Sequence, residues 1–147
     1  MKIAFTDDAE YVTECLKSPA VWRMGSDDFL KDVDPSRLNT MARGEDLWVR
    51  TPHGVLLGYK INLVNYECHL ALEPSAAGIA VDVCKQAMAF VFQNTAIVRL
   101  NATIPAYNHL AIGLAKRCGF SFIGVNERSI LKDGILHDQL FYGISKQ

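Results

Sequence analysis

Short apolar runs alternate with helical periodicity along this chain, and turn residues separate the two patterns. Near the N-terminus, the apolar spacing predicts a short strand at Lys2–Phe5 and then a helix that ends at Leu16. Thr6 or Asp7 is expected to cap that helix, because both side chains can accept a hydrogen bond from its first free amides. Pro19 then interrupts the helical pattern.

The rest of the chain continues the alternation. A helix or a loop is expected over residues 29–41. The elements predicted after it are strands at 47–50, 55–61 and 66–72, a helix at 78–94, a strand at 97–104, a helix at 108–118 and a final hairpin at 120–144 that turns at Asp133-Gly134. This order predicts one α/β (α+β) domain over residues 1–147, with a central mixed sheet and helices on both faces.

The composition is that of a globular domain without a charge bias. Lys and Arg number 15 against 16 Asp and Glu, which gives a net charge of −1. That balance argues against a nonspecific nucleic-acid binder, which needs a basic face to displace counterions. No apolar run reaches the roughly 18 residues of a membrane span, and the acidic residues after Phe5 do not suit a signal peptide. A cytoplasmic protein without membrane contact is therefore expected.

The spacing of the cysteines and histidines predicts side chains that pack in the core and does not indicate a metal site. The four histidines have no metal-ligand spacing with one another or with the cysteines. The cysteines are widely spaced, form no Cys-x-x-Cys motif, and are predicted to be reduced core residues: Cys15, Cys68, Cys84 and Cys118.

The segment that most suggests a ligand is the turn Glu73–Ala80. It lies between an apolar strand and a long, mostly apolar helix, and it contains Pro74, Ser75 and Gly78. A strand that delivers such a turn to the start of a helix leaves backbone N–H groups unpaired and pointing outward. Such groups can bind the phosphates of a nucleotide-like cofactor.

The element order and several short motifs resemble the GCN5-related N-acetyltransferase (GNAT) superfamily over nearly the whole length. The Asn…Lys-x-x-Gly-Phe pattern is similar to the ribosomal-protein N-terminal acetyltransferase branch. The motifs that carry the resemblance are Leu70-Ala71-Leu72-Glu73-Pro74, Ser75 to Ala80, Asn108-x-x-Ala111 and Lys116-Arg117-Cys118-Gly119-Phe120, with Asp138 and Tyr142 in the last strand.

The resemblance implies acetyl-CoA as co-substrate and an amine as acceptor. The strand before the turn would then separate from its neighbour and offer backbone groups to the pantetheine arm through Leu70 and Leu72. Asn108 would contact that arm or stabilise its loop. The residues implied to hold the pyrophosphate are Ala77, Gly78, Ile79 and Ala80.

Two positions depart from the family pattern. Ser75 stands where Gln or Arg is usual, and the turn holds no Lys or Arg, so phosphate binding would depend on backbone amides and the helix dipole. Ala115 stands where many members carry the Tyr that acts as acid, and Tyr107 is the alternative. Glu67 is the candidate base and His69 a second base or relay, with packed or solvated strand residues as the other interpretation.

Fold alone does not decide function, so two other hypotheses stand beside the enzyme. The chain also resembles small tailed-phage proteins of acetyltransferase type, which would make it a catalytically silent protein that contacts phage structural proteins during head assembly. Alternatively, it binds an acyl-CoA without turnover. Exposed strand edges in the final hairpin would permit a homodimer. The sequence does not specify the acceptor.

Overall fold

The computed structural model describes residues 2–34 and 46–147. These residues form a seven-stranded sheet and four α-helices. The strands are β1 Ala4–Phe5, β2 Leu47–Thr51, β3 Gly54–Lys60, β4 Asn65–Leu72, β5 Arg99–Pro105, β6 Ser121–Lys132 and β7 Ile135–Ser145. The α-helices are α1 Ala9–Lys17, α2 Pro19–Gly25, α3 Ala80–Asn94 and α4 His109–Arg117, and a 3₁₀ turn spans Pro74–Ala76. The predicted mixed sheet is confirmed.

The strands lie in the order β1-β2-β3-β4-β5-β7-β6. Every neighbouring pair is antiparallel except β4 and β5, which are parallel. A parallel pair needs a crossover connection, and the turn with α3 supplies it. Because β4 and β5 are each followed by a helix, the N-termini of α3 and α4 lie at the same end of the sheet, beyond the carboxyl ends of the two strands.

Helices cover both faces of the sheet, as predicted. One core packs α3 and α4 against the sheet around Val91, Leu100 and Tyr142. The other packs α1 against it around Val12, Val55 and Ala71, with Val21 of α2 at its border. Consecutive strand residues point to opposite faces, so β4 supplies Cys68 to the first core and Ala71 to the second. All four cysteines are buried and unbridged, as predicted.

The N-terminal helices differ from the sequence prediction at their starts. The α1 cap is Asp8, whose carboxylate accepts the Tyr11 N–H at 3.0 Å, while Thr6 Oγ1 accepts the Asp8 N–H. Pro19 begins α2, because its fixed φ and missing N–H suit the first helical position. Of the expected helix or loop at 29–41, residues 35–41 lie outside the described residues.

The C-terminal elements match the prediction. Asp133 and Gly134 take φ of 52° and 74° in the hairpin turn, and Gly119 (φ 96°) ends α4. Leu110 shares a helical spacing with Leu114 and Cys118, but those two pack in the core and Leu110 is 79% exposed.

Strand β6 forms one edge of the sheet and leaves Phe122, Ile123 and Val125 exposed. An edge strand with apolar side chains can pair with another chain. A homodimer through this edge stays a prediction. Within the described residues, no helix is long and apolar enough to cross a membrane.

Candidate functional site

Strands β4 and β5 separate soon after they begin to pair. Only three residues of each strand are in register: Asn65 with Arg99, Tyr66 with Leu100 and Glu67 with Asn101. Both strands continue beyond this point, β4 to Leu72 and β5 to Pro105, while each keeps its antiparallel partner on the other side. A wedge-shaped gap therefore opens between the carboxyl ends of the two parallel strands, here called the strand gap.

Hydrogen bonds at the start of β4 show which of its backbone groups face the strand gap. The Val64 carbonyl accepts the Val98 and Arg99 amides on the β5 side, whereas the Asn65 carbonyl accepts the Ile61 amide on the β3 side. Backbone direction alternates along a strand, so the even-numbered residues face β5. The last paired position, Glu67 with Asn101, uses the Cys68 N–H, which donates to the Asn101 carbonyl. The groups that face the gap without a strand partner are therefore the Cys68 carbonyl and the N–H and C=O groups of Leu70 and Leu72.

Leu70 and Leu72 thus lie where the resemblance implied, with open backbone groups. Cys68 was missed, although the alternation along the strand could have suggested it. Its side chain is buried in the core, where desolvation raises the pKa of the thiol to about 12. Cys68 can therefore offer its backbone carbonyl to the gap but no thiolate.

Some backbone N–H groups of the turn after β4 have no hydrogen-bond partner among the described residues. The N–H groups of Ala77 and Ile79 donate to Pro74 and Ala76 within the turn. The N–H groups of Gly78 and Ala80 have no backbone partner among the described residues. They lie just before and at the start of the 15-residue α3, where the helix dipole favours an anion.

Gly78 is not a glycine that the fold requires. Its φ lies outside the left-handed region, and a Cβ built there would meet nothing within 4 Å. The absence of a side chain keeps the space in front of the turn open. This space and the two open amides suit a phosphate group.

Ser75, at the position where the family carries Gln or Arg, contacts a neighbouring turn. Its hydroxyl lies 3.0 Å from Nδ1 of His53 and 3.4 Å from Oε2 of Glu73. His53 takes φ of 64° in the β2–β3 turn, and its carbonyl accepts the Glu73 N–H. The sequence held no signal for this contact, because His53 and Ser75 are 22 residues apart.

Glu67 projects across the mouth of the strand gap. Its Oε1 accepts the Thr103 N–H of β5 at 2.7 Å, and the side chain is half-buried. No partner of Oε2 is found among the described residues. Thr103 was not among the sequence-predicted residues, because a contact between two strands depends on their register.

His69 lies two residues beyond Glu67 on the same face of β4. Its ring makes an edge-on contact with Tyr59, with 5.5 Å between the ring centroids. Part of the side chain is exposed, yet the surrounding protein desolvates the ring and lowers the pKa of His69, while the Glu67 carboxylate raises it. His69 is therefore neutral near pH 7 and can accept a proton.

Tyr107 lies in the loop between β5 and α4, within a second cluster. Its ring packs edge-on against His137 at 4.9 Å, and none of the described contacts joins it to Glu67 or His69. Burial raises the pKa of Tyr107, and the carboxylates of Asp27, Asp133 and Asp28 raise it further. The phenol therefore keeps its proton at neutral pH and can act as a donor.

Asn108 caps α4, as predicted. Its Oδ1 accepts the Ala111 N–H at 3.2 Å, and its own N–H donates to the Pro105 carbonyl. These bonds hold the loop at the end of β5 and join it to the first turn of α4. Whether Asn108 also contacts a ligand stays a prediction.

Replacing the Asn108 cap should destabilise the fold moderately. We expect Asn108→Ala to lower the free energy of unfolding by about 1 kcal/mol, because the Ala111 amide loses its acceptor. Asn108→Asp keeps an acceptor oxygen and should stay within about 0.5 kcal/mol of the parent chain. Urea unfolding followed by circular dichroism measures both. An alanine variant as stable as the parent would show that this hydrogen bond contributes nothing.

An open groove of about 490 Å³ borders the turn on its α1 side. Its lining comes from the α1–α2 junction and the start of the turn: Glu14, Lys17, Ser18, Pro19, Glu73, Pro74 and Ser75. None of these residues belongs to the strand gap, so the groove is a neighbouring surface. In the part of the chain that the structure describes, no group of three or more metal-binding side chains is placed to hold a metal ion.

Solved acetyltransferases share this architecture. The spermidine N-acetyltransferase from Vibrio cholerae, solved with CoA and spermine, has a TM-score of 0.73 at 14% identity, over 98% of this chain and 94% of that chain. The microcin C7 self-immunity acetyltransferase MccE, solved with acetyl-CoA and AMP, has a TM-score of 0.71 at 16% identity, over 99% and 93%. An acetyltransferase of the GNAT family from Bacillus anthracis has a TM-score of 0.66 at 16% identity, over 99% and 95%.

The likeness lies in structure and not in sequence. No protein-family model and no curated protein matches the sequence. The fold nevertheless matches these structures over nearly the full length of each chain. The chain has the fold of the GNAT N-acetyltransferases.

Proposed function

We propose that this chain is an acetyl-CoA-dependent N-acetyltransferase that acts on an amine of a small molecule or a protein. The observation that carries the proposal is the strand gap, where three consecutive gap-facing residues of β4 have backbone groups without a strand partner. Unpaired backbone groups at a strand edge favour the binding of an extended chain that carries amide groups. The pantetheine arm of CoA is such a chain.

The turn suits the other end of the same cofactor. The open amides of Gly78 and Ala80 and the α3 dipole would bind the pyrophosphate, and Ala77 and Ile79 would shape the turn around it. Acetyl-CoA supplies the reactive thioester when bound. Because no Lys or Arg lies in the turn, we expect moderate affinity.

Side chains on the two sides of the strand gap are the candidates for proton transfer. The amine must lose a proton to become a nucleophile, and the free Oε2 of Glu67 or the neutral His69 ring can accept it, directly or through water. The protonated Tyr107 phenol, at the β5 end of the gap, is the candidate acid for the leaving thiolate.

Charge around Tyr107 supports an amine acceptor. Asp27, Asp28 and Asp133 all lie near enough to raise its pKa. Lys132, whose Nζ lies 5.9 Å from the Tyr107 ring, and Lys31, 3.9 Å from Asp28, offset part of this charge, so among the described residues three carboxylates stand against two lysines and the balance favours a cation. One structural neighbour was solved with spermine, and a polyamine is therefore a sensible first acceptor. A peptide N-terminus is the second, because the sequence resembles the ribosomal-protein branch.

Calorimetric titration with acetyl-CoA and with free CoA tests the proposal. We expect dissociation constants in the micromolar range, roughly −8 kcal/mol. Release of free thiol should then be followed with spermidine and with a short peptide as acceptors. No binding up to about 1 mM, roughly −4 kcal/mol, would refute the proposal.

The same measurements separate the two other hypotheses. Binding without thiol release from any amine would favour an acyl-CoA binder. Absence of binding would favour a silent scaffold, and the prediction from the phage resemblance, contact with head-assembly proteins, would then be tested by pull-down from infected cells. Fold alone does not choose among these outcomes.

A further inference from the structure

We propose that the Glu67 carboxylate is a latch that keeps β4 and β5 apart where the strand gap begins. It does so by occupying the Thr103 amide, which would otherwise pair with β4. The inference rests on the proposed function only where it concerns cofactor affinity.

The register shows which bond the carboxylate replaces. In the paired section the Val64 carbonyl accepts the Arg99 amide, so one step along the ladder the Tyr66 carbonyl faces the Asn101 amide. One further step would join the Cys68 carbonyl to the Thr103 amide. Instead, the Thr103 amide donates to Oε1 of Glu67 at 2.7 Å. A side chain thus takes the place of the next backbone acceptor.

The two edges of the gap differ as a result. On β5, the amide of Thr103 is satisfied and Pro105 has no N–H, so neither presents an open donor to the gap. On β4, the Cys68 carbonyl and both backbone groups of Leu70 and Leu72 remain open. The open N–H donors of the gap therefore lie on β4, and an extended ligand pairs with that strand.

The chemistry of the latch requires an acceptor at the length of a Glu side chain. A carboxylate that accepts a backbone N–H makes a stronger hydrogen bond than a neutral acceptor does. Glutamine keeps the length and one acceptor oxygen but cannot take up a proton. Alanine frees the Thr103 amide to pair with the Cys68 carbonyl, and the Leu70 amide would then pair with the Thr103 carbonyl, which closes the gap.

The latch and the proton acceptor use different oxygens of one side chain. Oε1 holds the Thr103 amide, and Oε2 is left for the amine proton. Glu67 is therefore a positioning residue through Oε1, whatever its part in catalysis. Glu67→Gln separates the two roles, because it retains the first and removes the second.

The test compares Glu67→Gln and Glu67→Ala with the parent chain, and Glu127→Ala, an exposed strand glutamate, is the control. Hydrogen exchange of the Leu70 amide, which faces the open gap without a strand partner, is measured by NMR in the ligand-free protein. Acetyl-CoA affinity is measured by calorimetry. Neither measurement requires turnover, so the loss of a catalytic base would by itself change neither the exchange rate nor the affinity.

We expect Glu67→Ala to slow Leu70 exchange and to weaken acetyl-CoA binding, each by about tenfold, because the gap closes when the carboxylate no longer occupies the Thr103 amide. Glu67→Gln and Glu127→Ala should stay within about twofold of the parent chain. Restoration of affinity by glutamine is a result that a proton-transfer role does not predict.

Two results would overturn the latch. One is a Glu67→Ala variant with unchanged Leu70 exchange and unchanged affinity. The other is a Glu67→Gln variant that differs from the parent chain as much as Glu67→Ala does in both readouts. If the parent chain binds no acetyl-CoA, slower Leu70 exchange in the alanine variant still supports the latch, and only the proposed function fails.

Discussion

Gly78→Val should lower the affinity for acetyl-CoA by at least about 100-fold, roughly 2.7 kcal/mol, and leave the fold intact. A valine at this position would project into the open space in front of the turn, where no protein atom lies within 4 Å of the added Cβ. If that space holds the pyrophosphate, the side chain excludes it and blocks the amides of Gly78 and Ala80. Stability should change by no more than about 1 kcal/mol, since φ at Gly78 is accessible to any residue.

Calorimetric titration and thermal unfolding of the same samples check this expectation. Gly124→Val is the matched control, because Gly124 also has nothing within 4 Å but lies in the edge strand β6, away from the turn. The control should bind like the parent chain. Unchanged affinity in Gly78→Val would show that the cofactor phosphate does not use this turn, and the proposed function would lose its phosphate site.

Leu100→Ala should cost about 2–5 kcal/mol of unfolding free energy, the range for a buried leucine that leaves a cavity. Leu100 is only 2% exposed and lies on β5 in the last stretch where that strand still pairs with β4, opposite Tyr66. Its side chain packs in the core beneath α3 and α4. The loss should therefore lower the melting temperature by about 5–15 °C for a chain of this size.

Denaturant unfolding measures the cost. The matched control is Val98→Ala, just before the same strand, because Val98 is 46% exposed and its truncation removes little buried surface. It should stay within about 0.5 kcal/mol of the parent chain. A Leu100→Ala variant as stable as this control would show that the core beneath α3 and α4 is not packed as described.

Local chemistry made much of the architecture predictable. The Asp133-Gly134 turn requires two residues that tolerate positive φ, and both adopt it. The polar stripe of α3, which includes Asp82, Lys85 and Gln86, is exposed, because a helical period of 3.6 residues places these positions on one side. Asn108 caps α4 because an amide oxygen three residues before a free N–H can accept it.

The errors arose where a local rule allows more than one answer. Asp8, Thr6 and Asp7 are all competent caps, and Asp8 is the one whose carboxylate reaches a free amide, that of Tyr11. Leu110 shares a helical spacing with Leu114 and Cys118, yet those two pack in the core and Leu110 is 79% exposed. Periodicity gives the direction of a side chain but not the extent of the surface that covers it.

The candidate site likewise combines residues that local sequence patterns indicate with partners that only the folded chain brings together. Glu67 and the turn with Gly78 were named from local patterns, alternation along a strand and a Gly-containing turn before a helix, whereas Leu70 and Leu72 were implied by the family resemblance. The partners of the site come from distant parts of the chain: Thr103 is 36 residues from Glu67, and His53 is 22 from Ser75. Such pairs depend on strand register, which hydrogen bonds and core packing set together only after the sheet has formed. Folding therefore created the strand gap, and the local sequence supplied the groups that line it.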